Sequence, residues 1–198
     1  MGWVIIMDEK YWALFGLVGP LMAYVFIGVS IALSPWFSWW RNALSDLGHA
    51  VRSESAAYYN FGLLLTGLLI TVYVVTAFWK YAKYTSLFLL TTAFSLQLVA
   101  VFDEVYGRLH WIVSVIFFVF MILSCLAYAV EKKSTLGILS FTIGLSSWVL
   151  FWADIYKAGV AVPEMISATA AMSWVVLSAI KMYFAYAKKA DSFSFRAR

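Results

Sequence analysis

The chain has 198 residues, 64% of them hydrophobic and 12% charged, with a formal net charge of +4 at pH 7. Soluble domains carry roughly a quarter charged residues, so no water-exposed globule can hide this much apolar surface, and lipid must cover it. A single Cys125 excludes a disulfide framework or a cysteine metal cluster within one chain. The basic residues lie in short loops and the tail, where they orient a protein in a bilayer, which leaves no case for nucleic acid.

Met1 to Lys10 lacks the basic start and the small-residue cleavage site of a secretory signal. The first apolar segment, about Tyr11 to Leu33, is long enough at ~1.5 Å per residue to cross a hydrocarbon layer of about 30 Å. Pro20 is expected to kink it without ending it, and Ser34-Pro35 stop it. Trp36 to Arg41 then places indoles beside a charge, as at a membrane interface. Next comes Asn42 to His49, N-A-L-S-D-L-G-H, a polar island between two apolar runs. The alternative, a further crossing over Ala32 to Val51, is disfavoured by these charges and by the interface signature.

Segment two spans about Ala56 to Trp79, with Ser53 as its expected cap and Glu54 in its first turn. Segment three, about Thr85 to Val101, carries one strongly polar side chain, Gln97, and ends at Phe102-Asp103-Glu104. His110 introduces segment four, Trp111 to Val130. Segment five, about Ser134 to Ala153, has Ser140 and Gly144 at a spacing that permits close helix contact. Segment six opens near Pro163-Glu164 and runs to about Tyr186, before a basic tail over 187–198 that is expected to be poorly ordered.

The expectation is therefore an all-α, polytopic bundle of six transmembrane helices forming one domain over 1–198. Both termini then share a side. Ten of the 14 basic residues, Lys10, Lys80, Lys83, Lys132, Lys133, Lys181, Lys188, Lys189, Arg196 and Arg198, fall on that side, which makes it cytoplasmic by the positive-inside rule. The opposite side receives Arg41, Arg52, Arg108 and Lys157, together with Asp46, Glu54, Asp103, Glu104, Asp154, Glu164 and both histidines. Ionisable groups beside lipid need water or partners, so this convergence predicts a polar chamber opening outward; the plainer reading is that these are the loops of a very apolar protein.

The order of short motifs carries a resemblance. Asn42-x-Leu44-Ser45-Asp46-Leu47-Gly48, then Asn60-x-Gly62 and Gly67, then Phe102-Asp103 with His110, Ser114 and Phe117-Phe118, and finally Pro163-Glu164 resemble the DUF998 family of prokaryotic six-span membrane proteins. That family is grouped loosely with the Frag1/DRAM/Sfk1 membrane proteins. The family pattern often has proline where this chain has Asp103. The resemblance implies an integral membrane protein with no generally established activity, and its distant eukaryotic relatives among GPI-lipid remodelling factors suggest lipid as ligand or substrate.

Within the island, Asp46 and His49 are three apart and would share a face if helical; His110 and Ser114 are four apart on segment four. Asp46, His110, Glu164 and Asp103 are the expected acid–base groups of an enzymatic version, with His110 exchanging the proton. Ser45, His49, Asn60, Arg108 and Ser114 are the expected ligand-binding groups, and Arg108, four residues after Glu104, is its expected charge partner. A Ser-His-acid triad cannot be read from spacing alone. No HxxxH or HExxH pair or regular calcium loop is present, so no metal and no cofactor is expected. The functional expectation is a membrane protein that binds a lipid or amphipathic ligand at an outward polar cluster, with membrane lipids as partners. Transport of a small solute or ion is the alternative, with Gln97, Asn60 and Thr66 as its few deep polar groups; a structural or regulatory role is the other.

Overall fold

The computed structural model describes residues 9–196, with side chains from 10 to 188. Glu9–Ala13 (α1) and Phe15–Ala32 (α2) make the first crossing, interrupted at Leu14. Ala56–Tyr73 (α3) continues as a π-helical turn, Val74–Phe78; Lys83–Val101 (α4), Arg108–Lys132 (α5), Thr135–Trp152 (α6) and Ala161–Arg196 (α7) follow. All six crossings are long and apolar enough to span a membrane, and the described residues contain no strand. The protein is a multi-pass membrane protein, all-α over the described residues.

Most helices present apolar side chains outward as well as inward. Val25, Phe61, Phe94, Ile116, Ile138 and Phe184 all stand exposed, a surface that hydrocarbon accepts and water does not. Consecutive helices are neighbours, and α7 returns against α1 and α2 to close the ring. With an even number of crossings the described chain ends share one end, called here the tail end; the first loop and residues 102–107 and 153–160 form the loop end.

The helix boundaries differ from expectation by local chemistry. Ser53 is not the cap of α3: its carbonyl accepts from Ala56, Ser55 precedes the helix, and both hydroxyls are used elsewhere. Pro163 lies in the third position of α7 rather than the first, where its missing amide still costs no helical bond. The backbone expected to loosen after Lys188 stays helical to Arg196, since Lys181 to Arg196 contains neither glycine nor proline.

Packing is tightest toward the tail end. Trp174, Tyr73 and Phe78 are fully buried there; Trp174 stacks on Tyr128 with ring centroids 4.4 Å apart and donates its indole N–H to Cys125 Sγ at 3.4 Å. Small residues make the approaches: Ser140 Oγ meets Ser173 Oγ at 3.3 Å, and a side chain on Gly144 would touch Ser167. A Cβ on Gly67 would lie 2.6 Å from Gln97 Cγ and 2.7 Å from the Ala93 carbonyl oxygen, so α3 and α4 meet there without room for alanine. Gln97 itself donates to the Ala93 carbonyl of its own helix at 3.3 Å.

Candidate functional site: a carboxyl cluster under the first loop

The loop end is organised by the first loop. Ser34 and Pro35 release the chain from α2, and a turn at Ser38 is closed by Asn42, whose Oδ1 accepts from the Ser38 amide at 3.0 Å. Two backbone bonds then fasten this turn to the α6–α7 connection: Gly159 N–H donates to the Trp39 carbonyl and Ala161 N–H to that of Asn42, both at 2.9 Å. A Cβ on Gly159 would lie 2.7 Å from Asn42 N and 2.9 Å from Arg41 N, so only glycine permits the crossing.

The island Ser45–Gly48 forms a 3-10 turn, and each of its residues has a partner. Asp46 Oδ2 accepts from Asn42 Nδ2 at 2.8 Å and from the Ala43 amide at 2.9 Å, which pins the turn from within. Leu47 is fully buried. Gly48 lies on Tyr59 and Asn60 so closely that a Cβ would fall 2.5 Å from Asn60 Oδ1, while Asn60 Nδ2 donates to the Gly48 carbonyl at 2.8 Å. Ser55 Oγ donates to the Leu47 carbonyl at 3.3 Å; having one proton, it accepts from Ser34 and Ser53, each 3.0 Å away.

Three carboxyl groups from different elements converge beneath this turn. Glu164, in the first turn of α7, is buried and its Oε2 accepts from the Leu44 amide at 2.6 Å. Glu104 accepts from Ser45 Oγ at 2.7 Å and faces Asp46. Burial, and then the neighbouring Asp46 carboxyl, push Glu104 up to about 7, against the pull of the Ser45 hydroxyl and of Arg52. The buried ring of Tyr59 supports the turn from below, against Gly48.

Of the residues expected to form the site, Asp46, Ser45, Asn60 and Glu164 are therefore gathered around one turn. Asp103 and His110 serve the neighbouring junction. Asp103 Oδ1 caps the 3-10 turn Glu104–Tyr106 by accepting from Val105 N–H at 2.8 Å. His110 Nδ1 lies 2.7 Å from the Phe102 carbonyl, which can only accept, so Nδ1 carries a proton, and Nε2 lies 3.3 Å from Ser114 Oγ. His49 does not take Asp46 as its partner: its Nδ1 accepts from the Val51 amide at 3.3 Å, while Asp46 turns back toward Asn42. Arg108 is exposed at the start of α5, and the cation whose field reaches Glu104 is Arg52, from the first loop. Glu104 and Gly159 were not among the expected site residues. Glu104 had a signal in its adjacency to Asp103, but which of two neighbouring acids reaches the first loop depends on Asp103 taking the cap. Among the described residues, no group of three or more His, Cys, Asp or Glu side chains is placed to hold a metal ion.

Beside the cluster, across the strap that joins Trp39–Asn42 to Gly159–Ala161, lies an open groove of about 540 Å³. Trp40, Phe151 and Tyr156 supply aromatic walls, and Asp154 and Lys157 supply one charge of each sign. Tyr156 is held by its hydroxyl, which donates to the Ser147 carbonyl at 2.9 Å.

Fold and loop together define a six-crossing membrane protein whose first loop is seated on three carboxyl groups, of which Glu164 is buried and Asp46 and Glu104 are partly exposed. A family model described as "Protein of unknown function (DUF998)" matches residues 17–181, from α2 into α7, and the chain belongs to that family. Neither a curated protein nor a solved structure matches the chain.

Proposed function

We propose that this protein binds a lipid or similar amphiphile at its loop end, with the headgroup in the groove beside the first loop and the tails along the lipid-facing helices. The observation that carries this reading is the composition of that groove: three aromatic rings with one carboxylate and one ammonium, in an open space of about 540 Å³. Aromatic faces attract alkylammonium groups, and paired charges of opposite sign complement a zwitterionic headgroup. The loop end is taken as the outer face and both termini as cytoplasmic, on the ten-to-four distribution of the 14 basic residues. The prokaryotic, Frag1-like likeness belongs with this proposal and points to the same ligand class.

A second reading adds acid–base chemistry on the headgroup, and it is favoured by Glu104, which is poised at about 7 beside Asp46 and Ser45. In that version Glu104 and Asp46 exchange the proton, and Glu164 and Asp103 hold the backbone around them. His110, bonded to Phe102 and Ser114, would act through its Nε2. Transport has less support, because the deep amide of Gln97 is bonded within its own helix.

The test is native mass spectrometry with lipid extraction of the purified protein, comparing wild type with Trp40→Ala/Asp154→Asn/Lys157→Gln. A co-purifying zwitterionic amphiphile that the triple variant loses supports binding. Conversion of that amphiphile by wild type and not by Glu104→Gln supports the enzymatic version. Equal retention by the triple variant, or an amphiphile-free protein whose proteoliposomes show flux dependent on Gln97, overturns the proposal.

A further inference from the structure

We propose that the enzymatic version of this function uses Ser114 as nucleophile and His110 as its base, and that the bond cleaved is a carboxylic ester of a membrane lipid; the assignment rests on a lipid being held at the loop end. Three groups meet at the α4–α5 junction. α4 stops at Phe102, whose carbonyl is among those a helix end leaves without a helical partner, and His110 Nδ1 donates to it at 2.7 Å. With that nitrogen occupied, the neutral form of His110 presents its lone pair on Nε2, and Ser114 Oγ lies 3.3 Å from it. A hydroxyl, a base and a group that orients the base are the parts of an activated serine, with the Phe102 carbonyl orienting where an acid would otherwise stand.

Two further observations mark Ser114 out. Helical serines often give their proton to a carbonyl about one turn back in their own helix. Ser86, Ser95, Ser124, Ser147 and Ser178 all do so, whereas Ser114 faces the imidazole. Depth is the second. Exposed, charged Arg108 holds the start of α5 at the aqueous edge, and Ser114 lies six residues further on, about 9 Å along the axis and beneath a headgroup layer roughly 5–8 Å thick. The esters that join headgroup to acyl chains lie at that level, and the exposed Trp111, one turn nearer the loop end, suits the same interface. Ser114 is half-buried, so a lipid can reach it. Phe118, one turn deeper, is fixed edge-on against Trp148 with centroids 4.9 Å apart and gives an acyl chain an aromatic wall.

As Ser114 Oγ bonds to the ester carbonyl carbon, its proton passes to His110 Nε2; the bond from that carbon to the alcohol oxygen then breaks, and the alcohol leaves with the proton. Water is the second reactant: it gives a proton to Nε2 as it attacks the acyl-serine, whose ester bond breaks while Ser114 Oγ recovers that proton. The products are a fatty acid and an alcohol.

The experiment places the full chain in nanodiscs of diacyl phosphatidylethanolamine and phosphatidylglycerol. Wild type should release free fatty acid from these lipids, and Ser114→Ala should not, at an unchanged thermal midpoint. An alkyl fluorophosphonate, which phosphonylates an activated serine and releases fluoride, is then added, and the adduct is mapped by peptide mass spectrometry, a readout in wild type that needs no variant to fold. Wild type should carry the adduct on Ser114 and not on Ser146, an exposed serine of the neighbouring α6. His110→Gln, which keeps an amide N–H for the Phe102 carbonyl but offers no base, should slow labelling by about a hundredfold or more. The proposal is overturned if wild type releases no fatty acid, if no adduct forms on Ser114, if Ser146 is labelled as fast, or if His110→Gln is labelled at the wild-type rate. Release that persists in Ser114→Ala and stops in Glu104→Gln would also overturn it, while leaving the acid–base reading of the carboxyl groups standing.

Discussion

The two ends of this molecule are held by different physics. At the tail end Trp174, Tyr73, Phe78 and Tyr128 pack ring on ring with few polar atoms to satisfy. At the loop end, Leu44, Ser45, Asp46 and Gly48 are tied to Glu164, Glu104, Asn42 and Asn60 by hydrogen bonds, and little beyond Leu44, Leu47 and Tyr59 is apolar and buried. An aromatic core tolerates changes of pH and salt and fails when volume is removed; a carboxyl-tied loop fails when a bond partner is removed or when a side chain is forced into its backbone crossing. The difference separates a part that supports the bundle from a part that can respond to its surroundings.

The comparison breaks most visibly at Trp174. Trp174→Ala leaves a cavity against Tyr128 and Phe78 and deprives Cys125 of its donor, and should cost about 3–5 kcal/mol of stability, read as a lowered thermal midpoint of the whole bundle in detergent. Next is Gly159→Ala, whose added Cβ meets backbone atoms of Arg41 and Asn42 that no rotamer change can move. Its expected cost is roughly 1–3 kcal/mol, with hydrogen exchange accelerating at Gly159 and Ala161 and unchanged around Trp174. Equal acceleration at both ends would show that the ends do not open separately.

A smaller effect sharpens the loop end. Glu164→Ala removes the acceptor of the buried Leu44 amide and should cost roughly 1–3 kcal/mol, whereas Glu164→Gln keeps a carbonyl oxygen there and should recover most of it. If both variants are equally destabilised, the bond to the Leu44 amide is not what Glu164 contributes to stability.

The crossings were legible because length and composition alone decide whether a helix can span lipid, and the first loop was legible as polar because lipid leaves such residues nowhere else. What the residues around it do was less so. Ser45, Asp46 and Glu164 were marked out by their isolation among apolar neighbours, yet Glu104 and Asp103 are adjacent acids whose fates diverge: Asp103 caps the following turn, and Glu104 reaches across to Ser45. Arg52 rather than Arg108 acts on Glu104 because the first loop folds back over residues 102–107, a contact between parts of the chain some fifty residues apart. The strap at Gly159 has no local signature, because it is set by the close approach of Arg41 and Asn42 from the first loop, and no proline marks the π-helical turn at Val74–Phe78.

The smallest expected effect is a pH dependence confined to the loop end. Glu104 is held at about 7 in the folded protein, above the ordinary carboxyl value of 4.5, chiefly because it is partly buried and also because it faces Asp46. A group whose folded value is raised binds its proton more tightly when folded, so its contribution to stability is fully present below about 4.5 and is lost as pH rises through about 7. Deprotonation sets a second carboxylate against Asp46 and within range of Glu164, while Ser45 and Arg52 offset part of the repulsion. The expected outcome is faster hydrogen exchange at Ala43, Leu44 and Leu47 between pH 5 and 8, after correction for intrinsic rates and relative to amides around Trp174. Glu104→Gln, which keeps an acceptor for Ser45 without a titrating proton, should flatten that dependence, and Arg52→Gln should steepen it by removing the cation that lowers Glu104. An unchanged profile in Glu104→Gln would show that the pH response does not come from Glu104, and would leave Glu104 as a hydrogen-bond acceptor for Ser45 alone.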